Sequence, residues 1–146
     1  MKLLVMLFAF AGLGLAQDYW MATGAGFNQY ADKQVSGWVS FGVKMADKTY
    51  SYTTVETTAA GSSTRTGVAQ LMIQWAGLKV MALGDAGSVT KDGALGAAYS
   101  GGGVIAYDLS KVFKISGLHA VFTVRALNGS VIGLQPVFAF GFGKAF

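Results

Sequence analysis

The sequence is poor in most of what catalysis and metal binding draw on. It contains no cysteine, which excludes a disulfide framework and thiolate-ligated metals. Its single histidine, His119, has few carboxylates to accompany it and cannot make a conventional zinc site. Charged residues make up only 12% of the 146-residue chain, against roughly 25% in globular chains. The net charge of +4 is scattered, with no basic run. A nucleic-acid surface needs clustered cations, so no nucleic-acid partner is expected. Proline occurs once, at Pro136. Beyond the N-terminus there is no run of about 18 apolar residues, the length from which a spanning helix is made.

What is present does not suit a soluble chain either. Hydrophobic residues reach 53%, yet they are interleaved with Gly, Ser, Thr and Gln. In lipid every backbone N–H and C=O must be satisfied internally, so only helices and closed barrels can span. The pattern excludes helices, and a barrel remains. The first segment is different in kind. Lys2, the apolar stretch Leu3 to Leu15, and Gly14-Leu15-Ala16 before Gln17 have the layout of a secretory signal peptide. Cleavage is expected after Ala16, dividing the chain into a signal peptide (1–16) and one barrel domain (17–146).

Along the mature chain the apolar residues recur with period two. Val35, Val39, Phe41, Val43 and Met45 share one face, and Ser36, Ser40 and Lys44 the other. Leu118, Ala120, Phe122, Val124 and Ala126 alternate with His119, Val121, Thr123 and Arg125. Ala69, Leu71, Ile73 and Trp75 alternate with Gln70, Met72 and Gln74. Turn clusters separate the runs: Ala31-Asp32-Lys33, Ala46-Asp47-Lys48, Gly61-Ser62-Ser63, Ala76-Gly77, Thr90-Lys91-Asp92-Gly93, Asp108-Leu109-Ser110-Lys111 and Asn128-Gly129-Ser130. Seven connections imply about eight strands, near 18–29, 34–45, 49–57, 66–75, 78–88, 94–107, 115–127 and 131–146. An even number of antiparallel strands lets the first pair with the last, giving an all-β up-and-down transmembrane barrel with no free edge. In the third strand both faces are semi-polar. Thr49, Ser51 and Thr53 are read as inward, with Tyr50 and Tyr52 outward. Pro136 cannot donate to a ladder, so a bulge or a late strand start is expected there.

The ending Phe138-Ala139-Phe140-Gly141-Phe142-Gly143-Lys144-Ala145-Phe146 resembles the closing strand of eight-stranded outer-membrane barrels of the OmpX and OmpA-barrel type. Phe138, Phe140, Gly141, Phe142, Gly143 and Phe146 carry the resemblance, and they look like the signal read by the barrel assembly machinery. Lys144 departs from the pattern, where the family prefers an aromatic or apolar residue; a lysine there can snorkel to headgroups. The resemblance implies export to the cell outer membrane and contact with its lipid and lipopolysaccharide. It also implies a transient partnership with the assembly machinery. No counterpart of the peptidoglycan-binding module that often follows OmpA-type barrels is expected after Phe146.

An eight-stranded barrel has an interior that side chains can fill. The inward candidates are Asp18, Trp38, Lys44, Gln70, Met72, Gln74, Lys79, Met81, Asp85, His119, Thr123 and Arg125. Small residues dominate the inward positions of the first and sixth strands (Ala22, Gly24, Gly26, Gly96, Ala98, Ser100, Gly102). Charges inside must be paired. Asp18 and Lys44 are expected to meet near the periplasmic end, and Asp85 and Arg125 across the sixth strand. Lys79 has no evident partner. Trp20, Tyr19, Trp75, Tyr99 and Tyr107 fall near strand ends, as interface girdles do.

His119 has Ser116 nearby in sequence, but on the opposite face, so no nucleophile is set beside it as in the lipid A deacylase and palmitoyltransferase barrels. Gly101-Gly102-Gly103 lacks the Lys-Ser/Thr and helix of a phosphate loop. No catalytic residue, metal or cofactor is expected. The leading reading is a non-enzymatic outer-membrane barrel with a structural or surface-interaction role and a filled lumen. The alternatives are a narrow pore and a secreted lipocalin-like barrel, which would turn the Phe stripe inward around an apolar ligand. The outer connections are expected to be short, the longest from about Thr58 to Arg65.

Overall fold

A computed structural model describes residues 19–28 and 35–145. The expected signal peptide, Asp18, the Ala31-Asp32-Lys33 turn and Phe146 lie outside the described residues. Eight strands follow one another: β1 (Tyr19–Asn28), β2 (Val35–Ala46), β3 (Thr49–Thr57), β4 (Gly61–Trp75), β5 (Leu78–Lys91), β6 (Ala94–Asp108), β7 (Leu118–Gly129) and β8 (Gly133–Ala145). A four-residue helix, α1 (Ser110–Phe113), sits in the β6–β7 connection. Each strand pairs antiparallel with the next, and β8 pairs with β1 from Trp20–Ala145 to Asn28–Val137, closing the barrel.

Strand β1 begins and β8 finishes at the same end, here called proximal. It also holds the turns at 47–48 and 76–77 and the connection 109–117. The distal end holds the links 58–60, 92–93 and 130–132. Two of the tight turns show why their residues were chosen. At Asp92-Gly93 both residues have positive φ (50° and 84°), and so have Ala76-Gly77 (48° and 85°). Two successive positive φ values match the twist of flanking strands, and glycine takes the second without steric cost.

Connection lengths depart from the sequence expectation. Strand β4 begins at Gly61, not near 66, because Gly61 to Arg65 pair in register with Lys91 to Gly87. Thr58 to Ala60 is therefore a three-residue link, and the longest described connection is the proximal one, Leu109 to Gly117. Pro136 lies within β8, opposite Ala126 and one residue beyond the last β1 pair, so no bulge is needed to accommodate it.

The faces sort by what lipid tolerates. Phe138, Phe140 and Phe142 point outward and are half-exposed, with Phe122 and Val124 of β7 and Met21 and Phe27 of β1 beside them. Phe140 and Phe142 meet edge-to-face at 5.5 Å. Gly141 and Gly143 face inward. This is the opposite of what a lipocalin-like barrel requires, and that alternative is corrected here.

Strand β3 also corrects the sequence reading. Tyr52, Thr54 and Glu56 are buried inside, while Thr53 is outside and bonds Thr66 at 2.9 Å. Thr49 bonds Gln70 at 2.7 Å on the exposed side. The even-numbered set carries a carboxylate, and facing a carboxylate to lipid costs far more than facing threonine hydroxyls. Period two then fixes every other residue of the strand.

Strand β4 obeys the same logic. Burying Arg65 puts Ser63 and Ala69 inside and turns Gln70 out. A bulge between Leu71 and Ile73, with Met72 the extra residue, then flips the facing. Ile73 and Trp75 regain the lipid side, and Gln74 pairs with Lys79 at the proximal rim. A matching bulge at Met45 in β2 lies beside the other proximal two-residue turn.

Candidate functional site: a charged tier and a cavity inside the barrel

The interior is layered. At the distal end Val89, Ala98, Leu127, Ile132 and Val137 form an apolar cluster, with Val89 and Leu127 fully buried. Below it lies a tier of four buried charges. Arg65 reaches Glu56 at 3.3 Å and faces Asp85 at 3.3 Å, and Arg125 meets Asp85 at 3.2 Å. Two carboxylates and two guanidiniums leave the tier formally neutral, as burial of charge demands.

Hydroxyls complete it. Tyr52 donates to Asp85 at 2.7 Å and Ser100 to the other carboxylate oxygen at 2.5 Å. Ser36 donates to Glu56 at 2.6 Å, and Arg65 donates to the Ser63 hydroxyl. The Nε atoms of Arg65 and Arg125 have no hydrogen-bond partner among the described protein atoms. Arg65 Nε thus faces Asp85 as a charge, without hydrogen-bond alignment.

Proximal to this tier the barrel is hollow. A cavity of about 210 Å³ opens at the proximal mouth, lined by Trp38, Tyr52, Leu71, Met81, Val104 and Val121 among others. It exists because Ala22, Ala69 and Ala106 come inward where larger residues would meet. Trp20 also faces this space and lies over Gly42, which it pairs with across β1–β2; a Cβ at Gly42 would collide with the indole. Trp20 is therefore not a girdle residue. Of the aromatics expected in the girdles, Trp75, Tyr99 and Tyr107 are exposed.

The sequence-derived site residues divide accordingly. Asp85 and Arg125 are brought together, over Gly102 of β6. Lys79 and Lys44 reach the cavity mouth, and His119 lines its wall with Nδ1 2.8 Å from the Gly117 carbonyl oxygen. Ser116 is exposed in the connection before β7. Gln70 and Met72 lie outside the lumen, whereas Trp38, Met81 and Thr123 line it.

Sequence reasoning missed Glu56, Arg65 and Tyr52. A signal for one of them existed. Of the seven acidic residues, Asp32, Asp47, Asp92 and Asp108 sit in turn clusters and Asp18 at the start of the first expected strand, leaving Glu56 and Asp85 as the acids well inside strands. Among the described residues no cluster of three or more His, Cys, Asp or Glu side chains is placed to hold a metal ion.

No family model and no curated protein sequence matches the chain. Solved structures do. The N-terminal β-barrel domain of Pseudomonas aeruginosa OprF superposes with a TM-score of 0.67 at 11% identity, over 90% of this chain and 98% of that one. A structure reported under de novo design of transmembrane β-barrels gives 0.61 at 12% identity, over 90% and 97%. The fold is that of the eight-stranded transmembrane β-barrels. At such identities the likeness concerns the fold, and it accounts for the outward Phe stripe. The transmembrane barrel places its apolar side chains against lipid and its ionised ones in the lumen.

Proposed function

We propose that the chain is a non-enzymatic outer-membrane barrel that is closed to solutes and has a structural or surface-interaction role. The carrying observation is the charged tier. Glu56, Arg65, Asp85 and Arg125 are held to one another across the lumen beneath an apolar cluster that is itself buried. A solute crossing would have to part ion pairs in a low-dielectric interior, where removing one partner costs several kcal/mol. The OprF barrel supports the outer-membrane setting.

In that setting the Lys2-to-Ala16 segment serves export, and the Phe138-to-Phe146 ending serves recognition by the barrel assembly machinery. The exposed Phe, Val and Met side chains of the outer face contact outer-membrane lipid and lipopolysaccharide. The three described distal links are short and offer little surface for a large partner, which favours the structural side of the role. Planar-bilayer recording tests the closure. The wild-type barrel is expected to be silent, and discrete conductance steps from pure protein would overturn the reading.

A further inference from the structure

At the proximal end Trp75, Leu78 and Tyr107 stand side by side in register on β4, β5 and β6. Trp75 and Tyr107 are exposed there on the lipid side, and such aromatics settle at the boundary between headgroups and acyl chains. The 109–117 connection leaves β6 two residues after Tyr107, beside that boundary. It is an ordered turn. The Asp108 carboxylate accepts the Ser110 backbone N–H at 2.7 Å, and the Val112 and Phe113 N–H groups donate to the Leu109 carbonyl. Lys114, at φ 55°, ends the helical turn. Backbone bonds from Leu109 N–H to the Leu118 oxygen (2.8 Å) and from Ala145 N–H to the Gly117 oxygen (2.9 Å) tie its two feet to the rim. Yet the turn holds large apolar side chains in the open: Val112, Phe113 and Ile115 are 69, 57 and 48% exposed. None of residues 109–117 lines the proximal cavity, so the connection is not a lid over it.

The charge of the connection is of one sign. Lys111 and Lys114 are exposed, no acidic residue falls within 109–117, and neither lysine forms an ion pair with a described residue. Asp108, just before it, faces Ser110, and the cations acting on that carboxylate are His119 and Lys79. Bulky apolar side chains interleaved with lysines suit a segment lying in a membrane interface, where apolar burial and attraction to anionic headgroups act together. We propose that the 109–117 connection docks on the proximal leaflet, with Val112, Phe113 and Ile115 in the acyl boundary and Lys111 and Lys114 on the phosphates of anionic phospholipids. Continuity selects this occupant over a soluble partner, because the turn springs from the strand whose Tyr107 already lies on the lipid face. Lysine stems are long enough to lie along the apolar layer while their ammonium groups reach the phosphates. The contact lies outside the strands and adds headgroup selectivity to the lipid contact of the outer face. It rests on the barrel being inserted in a bilayer, and a label on β8 separates the failure of one from the failure of the other.

The chain has no cysteine, so a single introduced thiol reports one position. The mature protein carrying Phe113→Cys, Phe140→Cys or Asp92→Cys is labelled with an environment-sensitive fluorophore and folded in phosphatidylcholine nanodiscs. Phe113 is exposed and makes no core contact, so its replacement leaves the barrel intact, as heat-modifiable migration checks. The label at 113 should be shielded from aqueous acrylamide and quenched by lipid nitroxides, as the label at 140 is, whereas the label in the distal turn at 92 stays in water. Nitroxide-labelled phosphatidylglycerol should quench the label at 113 about threefold more than the same dose of nitroxide-labelled phosphatidylcholine. Lys111→Gln/Lys114→Gln should remove that difference and leave the depth unchanged. A label at 113 as open to acrylamide as the one at 92, while the label at 140 is in lipid, would overturn the proposal and leave the barrel reading standing. Water at both 113 and 140 would overturn both. Shielding at 113 without quenching by lipid nitroxides, which reports a protein contact, would also overturn the proposal, as would equal quenching by the two labelled lipids.

Discussion

Replacing Asp85 by alanine should be the most damaging single change in the lumen. Its carboxylate receives Tyr52 and Ser100 at 2.7 and 2.5 Å and faces Arg65 and Arg125 at 3.3 and 3.2 Å. Without it Arg65 keeps Glu56 and Ser63, but Arg125 loses its ion-pair partner while only 6% exposed. Removing one member of a buried pair costs about 3–5 kcal/mol, and Asp85→Ala should fall near ~4 kcal/mol on that scale. Asp85→Asn retains an acceptor for the hydroxyls and should lose about half as much. The double variant Asp85→Leu/Arg125→Met removes both charges and should recover about 1–3 kcal/mol relative to additivity. Urea unfolding of the barrel in lipid vesicles, followed by tryptophan fluorescence and by migration on unheated gels, reads these values. A loss below about 1 kcal/mol for Asp85→Ala, or strict additivity in the double variant, would refute the account of a tier held by mutual charge neutralisation.

Other expectations concern facing and packing. Phe140 lies in the middle of β8 on the lipid side, so Phe140→Lys should cost about 2–4 kcal/mol in the same unfolding assay. A spin label at Thr53 should be relaxed by oxygen dissolved in lipid, and one at Thr54 should be shielded; the reverse would restore the opposite facing of β3. Tyr52→Phe should lose about 1.5–3 kcal/mol through its hydrogen bond to Asp85, whereas a lipid-facing Tyr52 would lose almost nothing. Gly42→Val should displace the Trp20 indole and change its fluorescence maximum without preventing closure of the barrel.

The number of strands and their closure were legible because turn clusters and period-two runs repeat along the whole chain. Strands β7 and β8 were the clearest, since Phe122, Phe138, Phe140 and Phe142 differ sharply from the neighbours they alternate with. Strand β3 was not. Thr, Ser and Tyr occupy both its faces, hydropathy hardly separates them, and a single residue, Glu56, decides the facing. Its partner Arg65 was hidden at the end of the Thr58-to-Arg65 stretch, which reads as a polar loop until pairing with β5 extends the strand back to Gly61. The bulges at Met45 and Met72 leave no compositional mark, yet each reverses the facing beyond it. The cavity was least accessible of all. It depends on Ala22, Ala69 and Ala106, from three different strands, lining one space, and that is a property of the register between strands.

Membrane insertion requires the Phe-bearing face to be the lipid face. Expression of the full chain in a Gram-negative host, followed by membrane fractionation and electrophoresis with and without boiling, tests this directly. The protein should be recovered with the outer membrane, and its migration should change on heating as the closed barrel unfolds. Recovery in the soluble periplasmic fraction, with the same migration before and after boiling, would contradict the central claim.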